Sequence, residues 1–322
     1  MEAIAARGSQ PSFLDAAATP GCPPDHAVVR VRLAGDVPER VAAAARDARA
    51  DAILGRDLVG VVSEVGDEAP TSIRDRLLKA RVACASRVAI GTCDMCRAGV
   101  PQHCRDGDTL GAGRLDGTLS GSVAIPWRNL ALVPDGMDDA VALLAQPLAR
   151  AIHAARMIRM QGKVYVTVLG DNLNALLAAQ VIAQLNATVR ILGWRPEVFG
   201  RAEKWGIQHR HADEVGRRED QTVVVDCMGS ERSLDLALGL VRPRGTIILA
   251  SASEASATAD LSAVVRNELE LLGARDGPVS DALAMLARGD IDTAGLIEAR
   301  VRAPEAPRVL SRPELLYVAV EF

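Results

Sequence analysis

Along the first third of the chain, apolar residues come in short β-branched runs closed by Gly, Pro or Asp. HAVVRVRLAG (26–35), DLVGVVSEVG (57–66) and RVACASRVAI (81–90) are the clearest. Runs of this kind predict strands joined by turns. From Asp138 the period changes. DDAVALLAQPLARAIHAARM (138–157) carries apolar residues at helical spacing behind two acidic residues, which suit a helix N-terminus. Beyond it the two patterns alternate. Strands are expected at 163–170, 188–193, 222–229 and 246–251, and helices at 174–186, 196–206 and 233–241.

Strands that alternate with helices imply a parallel sheet covered by helices on both faces. The chain is therefore α/β, with a Rossmann-like doubly wound domain over 137–275. The segments 1–136 and 276–322 form a second, discontinuous domain, and 322 residues are enough for two cores. Aromatic residues are only 2%, so those cores must be built from Ala, Leu, Val and Ile. A net charge of -4 offers no basic field for nucleic acid. No apolar run reaches the roughly 18 to 20 residues of a membrane-spanning helix, and the N-terminal segment lacks the pattern of a secretory signal. Four of the six cysteines fall between 84 and 104, which reads as reduced thiols in a cytoplasmic protein.

Two local patterns carry chemistry. Cys93, Cys96 and Cys104 keep a C-x2-C-x7-C spacing suited to a structural zinc loop, but Ile90 stands where a fourth thiolate would come. Structural zinc sites close tetrahedrally, so three thiolates are an incomplete set. The loop is either a weakened zinc site, completed by water, His103 or another donor, or a metal-free turn. Cys84, on a strand, reads as a core residue. The second pattern is the turn Gly170-Asp171-Asn172-Leu173-Asn174-Ala175 between a strand and a helix. Gly170 can make the tight turn of a dinucleotide site and Ala175 the close helix packing, while Asn172 takes the middle position, where glycine lets the backbone approach a pyrophosphate. The next strand ends at Gly193, followed by Trp194 and Arg195, where an NAD enzyme places a carboxylate for the ribose. A missing carboxylate beside an arginine favours NADPH over NADH, the alternative being that Arg195 is a solvated residue at the helix start.

Several long segments together resemble the medium-chain dehydrogenase/reductases, in particular the zinc-dependent alcohol, sorbitol and threonine dehydrogenase branch. They are LGRDLVGVVSEVG (54–66), RVACASRVAIGTCDMCRAGVPQHC (81–104), DGTLSGSVAIPWRNLALVPDGM (116–137), QPLARAIHA (146–154) and LVRPRGTIILAS (240–251). The resemblance implies a GroES-like β-barrel catalytic domain beside the nucleotide domain, and a homodimer or homotetramer acting on a small molecule. It also places the three catalytic zinc ligands at Val37, Arg56 and Gln146, none of which is a competent ligand. Glu39 and Arg40 replace the family's proton-relay pair, and Asp57 follows Arg56. Glu39, Arg40, Arg56 and Asp57 are expected to gather at the vacated metal position. There Arg56 either grips a carbonyl or carboxylate substrate or joins structural ion pairs. Cys227 and Gly229, with Ala250 and Ser251, resemble positions flanking the nicotinamide ribose, and His153 is a candidate proton donor. Two functions follow. One is a zinc-independent, NAD(P)H-dependent oxidoreductase, with Arg56, Arg40, Glu39 and His153 as catalytic candidates. The other is a catalytically dead relative kept for ligand sensing or partner binding.

Overall fold

The computed structural model describes residues 1–322 apart from 113, 160, 161, 163, 186 and 252–258. The chain divides into two compact units, Met1–Gln146 with Pro278–Phe322, and Pro147–Gly277.

The first unit is built on a long antiparallel strand, β1 (His26–Asp36), which ends in the helix α1 (Pro38–Asp47). β1 pairs with β2 (Asp57–Val65), which pairs with β3 (Arg81–Cys84). The sheet is extended by β4 (Ser122–Pro126) on β1 and β5 (Leu130–Leu132) on β3. The C-terminal strand Val318–Glu321 returns to pair antiparallel with the end of β1, joining Val318 to Asp36. Alternating Val, Leu and Ile from these strands close one core, with Val29, Val31, Leu58, Val62, Val82 and Ile125 all buried. The expected strand over 81–90 is broken. Arg81–Cys84 stays in the main sheet, while Arg87–Val88 turns to pair with Asp108–Thr109. Between them the Ala85 N–H donates to the Asn129 carbonyl and Ser86 is buried, so the chain changes partner at this point.

The expected helix over 138–157 is two helices, α2 (Asp139–Leu143) and α3 (Ala145–Arg156), and the unit boundary falls just after Gln146. Asp139 holds α2 to the first unit through Arg32 and Arg81, each at 2.9 Å. That is why the division lies ten residues beyond the position read from the sequence.

The second unit is a six-stranded parallel sheet. Its elements are β6 (Val164–Leu169), α4 (Leu173–Ala183), β7 (Ala187–Gly193), α5 (Pro196–Lys204), β8 (Gln208–His211), β9 (Gln221–Asp226), α6 (Glu231–Leu240), β10 (Val241–Leu249) and β11 (Glu270–Gly273). The spatial order is β8-β7-β6-β9-β10-β11. The order reverses at β6, between its neighbours β7 and β9, the kind of switch point at which open α/β sheets bind ligands. Strands buried on both faces read as near-continuous apolar runs, and β6 is buried over 166–169 and β9 over 223–226. α4 is apolar on nearly every side and is buried over Ala175–Ile182. Lys163 and Asn186, the outermost residues of the expected first strand and helix, lie outside the described residues. Among the described residues no helix is long and apolar enough to cross a membrane.

Candidate active site, thiol cluster and nucleotide edge

At the C-terminal end of β1 the chain places four polar residues in the core. Antiparallel register sets Gly35 opposite Asp57. Arg40, one turn into α1, reaches back to Asp36 at 2.6 Å and across to Asp57 at 3.4 Å. Tyr317, fully buried, donates its hydroxyl to Asp57 Oδ2 at 2.8 Å. The phenol lies against Gly35, where a Cβ would stand 2.6 Å from the ring, so only glycine admits it. Burial works against the Arg40 cation, but Asp36 and Asp57 more than offset it, and the net pKa is raised. The Tyr317 phenol is likewise held neutral, by burial first and then by the charge of Asp57.

Of the expected cluster, the structure brings Arg40 to Asp57 and adds Asp36 and Tyr317. Glu39 lies exposed in the first turn of α1. Arg56 is half-buried, directly before β2. Val37 is the N-cap residue of α1 and offers no side-chain donor. The Gln146 amide donates to Ser86 Oγ at 2.7 Å, both side chains being buried. His153 lies half-buried on α3 in the other unit, its Cβ close to Gly277.

Cys93, Cys96 and Cys104 converge, their sulfurs all within 4.8 Å of one another. Cys93 lies 3.5 Å from Cys96 and 3.8 Å from Cys104. Among the described residues this is the one group of three or more His, Cys, Asp and Glu donors arranged to hold a metal. Ile90 and His103 are exposed. Backbone N–H groups of Arg105 and Cys96 lower the Cys93 thiol to about 7, whereas desolvation and its neighbours raise Cys96 to about 11. Cys84 and Cys227 are fully buried, and burial pushes both thiols up, which makes Cys227 a packing residue rather than a nucleophile.

In the second unit the polar residues gather at the carboxyl edge of the sheet. Gly170 has φ +132, and a Cβ there would stand 3.1 Å from Met228 Sδ and 3.2 Å from Ala175 Cβ. Asn172 caps α4. Its Oδ1 accepts from Ala175 N at 3.0 Å, and its Nδ2 donates to the Cys227 carbonyl at 2.8 Å. Leu173 opens the helix and is buried, while Asn174 Nδ2 donates to the Ala250 carbonyl at 3.1 Å. Asp226 ties β9 to α6, accepting from Met228 N, Gly229 N and the Ser233 hydroxyl. Its pKa is raised by burial, against the opposing pull of those bonds. Ala250 and Ser251 follow β10, both half-buried. Asp171 was not singled out from the sequence. Its carboxylate crosses to the end of the neighbouring strand, where Oδ2 accepts from Trp194 N at 2.5 Å and Arg195 N at 2.9 Å.

Residues 17–135 match the alcohol dehydrogenase GroES-like domain. The L-threonine 3-dehydrogenase of Chelativorans sp. (strain BNC1) is 27% identical over 270 residues, covering 79% of this chain and 76% of the relative. The chain belongs to the medium-chain dehydrogenase/reductase superfamily. Among solved folds, alcohol dehydrogenase TADH from Thermus sp. ATN1 superposes with a TM-score of 0.86 at 24% identity, over 100% of this chain and 99% of that one. A Sinorhizobium meliloti 1021 protein solved bound to NADP gives 0.87 at 21% identity with the same coverage.

For a medium-chain dehydrogenase/reductase, the edge of the second unit is a fitting frame for a dinucleotide. A tight turn leads into a helix N-terminus at the switch point of the sheet, the arrangement that receives a pyrophosphate. Gly170, Asn172, Leu173, Ala175 and Gly193 all stand at that edge. Val37, Arg56 and Gln146, which the resemblance places at the zinc positions, supply no thiolate, imidazole or carboxylate to a zinc ion.

Proposed function

We propose that this member of the superfamily is a nicotinamide-dependent oxidoreductase that works without a catalytic zinc. Its substrate would be a small carbonyl, alcohol or enone. The observation that carries the reading is the state of Asp57. It directly follows Arg56, where the resemblance places a zinc ligand, and its Oδ2 is engaged by Arg40 and Tyr317. A carboxylate already shared by a guanidinium and a phenol is a poor metal ligand, and one carboxylate cannot close a zinc site.

When bound, the nicotinamide would supply the hydride chemistry, giving a hydride to a carbonyl or enone carbon in its reduced form or taking one from an alcohol in its oxidised form, with a proton exchanged with water. The chain's part is to bind and orient. Arg56 carries a permanent cation and a rigid fork of donors, suited to a carbonyl oxygen in the role a Lewis acid would otherwise fill. Arg40, locked between two carboxylates, holds the floor on which β1 and β2 meet.

A second reading, a catalytically dead relative, is favoured by one observation. The Asn172 side chain occupies the middle position of the turn and takes the Ala175 N–H for itself. The deciding experiment is turnover of metal-analysed protein on a panel of aldehydes, ketones and enones, before and after chelation. Reduction unaffected by chelator, and lowered about 100-fold in Arg56→Ala with cofactor affinity kept, supports the zinc-independent enzyme. Activity that tracks zinc content defeats it. A folded protein that turns over nothing and binds dinucleotide weakly or not at all supports the second reading.

A further inference from the structure

We infer that Asp171 sets the nucleotide preference of the second unit. Its carboxylate stands in for the acidic residue that β7 lacks, so the site takes the ribose diol of NAD(H) and rejects the 2′-phosphate of NADP(H). The inference rests on the nicotinamide reading above and reverses the preference expected from Gly193 and Arg195 in sequence.

β6 and β7 run parallel in register, with Leu169 beside Leu192. Asp171, two residues past the end of β6, can therefore reach the residues that follow β7. It does so while only 3% exposed. Oδ2 accepts from both Trp194 N and Arg195 N, fixing a carboxylate at the strand end. Among the described residues Oδ1 has no hydrogen-bond partner, which leaves it to accept from ribose hydroxyls.

Gly193 makes the substitution possible. A Cβ there would stand 2.8 Å from Asp171 Oδ2 and 2.9 Å from Asp171 Cβ. Contacts that short do not occur in relaxed cores. The missing side chain of Gly193 and the inserted side chain of Asp171 are one arrangement, in which the carboxylate arrives from the adjacent turn.

The cations near this strand end are already answered. Arg195 Nε donates to Glu197 at 3.1 Å. The Arg232 guanidinium, 4.7 Å over the Trp194 ring, binds both oxygens of Asp213 at 2.6 and 2.8 Å. Asp213 also accepts from Trp194 Nε1 at 3.1 Å. Three carboxylates against two guanidiniums give a local field that repels a phosphate dianion and tolerates a neutral diol.

The test is titration of NADH and NADPH, followed by nicotinamide fluorescence, into the wild-type chain and Asp171→Asn. Asparagine keeps an acceptor for the two backbone N–H groups and removes the charge. The expected result is NADH binding at least about tenfold tighter than NADPH in the wild type, with the ratio brought close to one in Asp171→Asn. Tighter NADPH binding by the wild type, or an unchanged ratio in Asp171→Asn, would overturn the role of Asp171 and leave the nicotinamide reading standing. A folded wild-type chain that binds neither nucleotide overturns both. Should Asp171→Asn not fold, competition on the wild type decides. Displacement of NADH by 5′-AMP but not by adenosine 2′,5′-bisphosphate supports the assignment, and the reverse order overturns it.

Discussion

In the first unit, polar side chains at the end of β1 turn inward and answer one another. In the second they stand at the edge of the sheet and hold backbone N–H groups. Asp36, Arg40, Asp57 and Tyr317 form a closed network of two acids, one base and a phenol. Asp171, Asn172 and Asp226 each tie a strand-to-helix turn. A closed ionic network fixes geometry and withdraws its carboxylates from any metal, whereas capped turns at a sheet edge still present a surface to a ligand. On the proposed reading the two halves of one dehydrogenase frame have parted company, one keeping a ligand edge and the other turning its polar residues to structure.

The largest effect expected from this contrast lies in the first network. Asp57→Ala would leave the half-buried Arg40 with one carboxylate fewer and the Tyr317 hydroxyl without its acceptor. Removing one partner of a buried pair costs about 3–5 kcal/mol, to be read as a lowered denaturant midpoint with the slope unchanged. Near-native stability with lost turnover would instead mark Asp57 as a group acting on substrate, and would break the comparison.

A smaller effect is expected at the second edge. Asn172→Gly restores the middle glycine of the turn and removes both the α4 cap and the bond to the Cys227 carbonyl. A lost cap replaced by glycine costs a few tenths of a kcal/mol and a lost hydrogen bond somewhat more, so roughly 1 kcal/mol of stability should go. Nicotinamide binding should tighten in the same variant, because the Ala175 N–H and the space beside it are released. Equal or weaker binding in the glycine variant would mean that the Asn172 amide contributes to the ligand site instead of competing for it.

How much of this was legible in the sequence follows the same division. The second unit declared itself because its strands are buried on both faces and its helices begin at recognisable caps, such as Ser230 before α6. In the first unit the strand-rich pattern around it hides the helix α1. Pro38 at its start, Glu39 in its first turn and the alanine run after Val41 were nevertheless ordinary helix signals. The break after Cys84 was hidden because RVACASRVAI is apolar throughout, and only tertiary partners decide where a strand leaves its sheet. The two charge arrangements were harder still. Asp57 meets a tyrosine 260 residues away, with no local sign of it. Asp171 lies inside the turn motif of the second unit, but its reach to Gly193 depends on strand register, which composition does not carry.

The smallest effect concerns the thiols of the first unit. In metal-free protein, Cys93 has its thiol lowered to about 7, chiefly by the Arg105 and Cys96 N–H groups on its sulfur. Cys22, Cys84, Cys96 and Cys227 are all raised, burial being the first cause in each. Because the thiolate is the nucleophile, iodoacetamide should modify Cys93 first. Its rate should climb as pH rises through about 7 and level off above it. Mass mapping of the alkylated peptides reads this directly. Zinc added before the reagent should protect Cys93, Cys96 and Cys104 together if three sulfurs within 4.8 Å suffice to hold it. Alkylation of Cys93 that still climbs at the pH of an ordinary thiol would show that the two N–H groups do not reach its sulfur in solution. The loop would then be a turn that has kept its cysteines without keeping their chemistry.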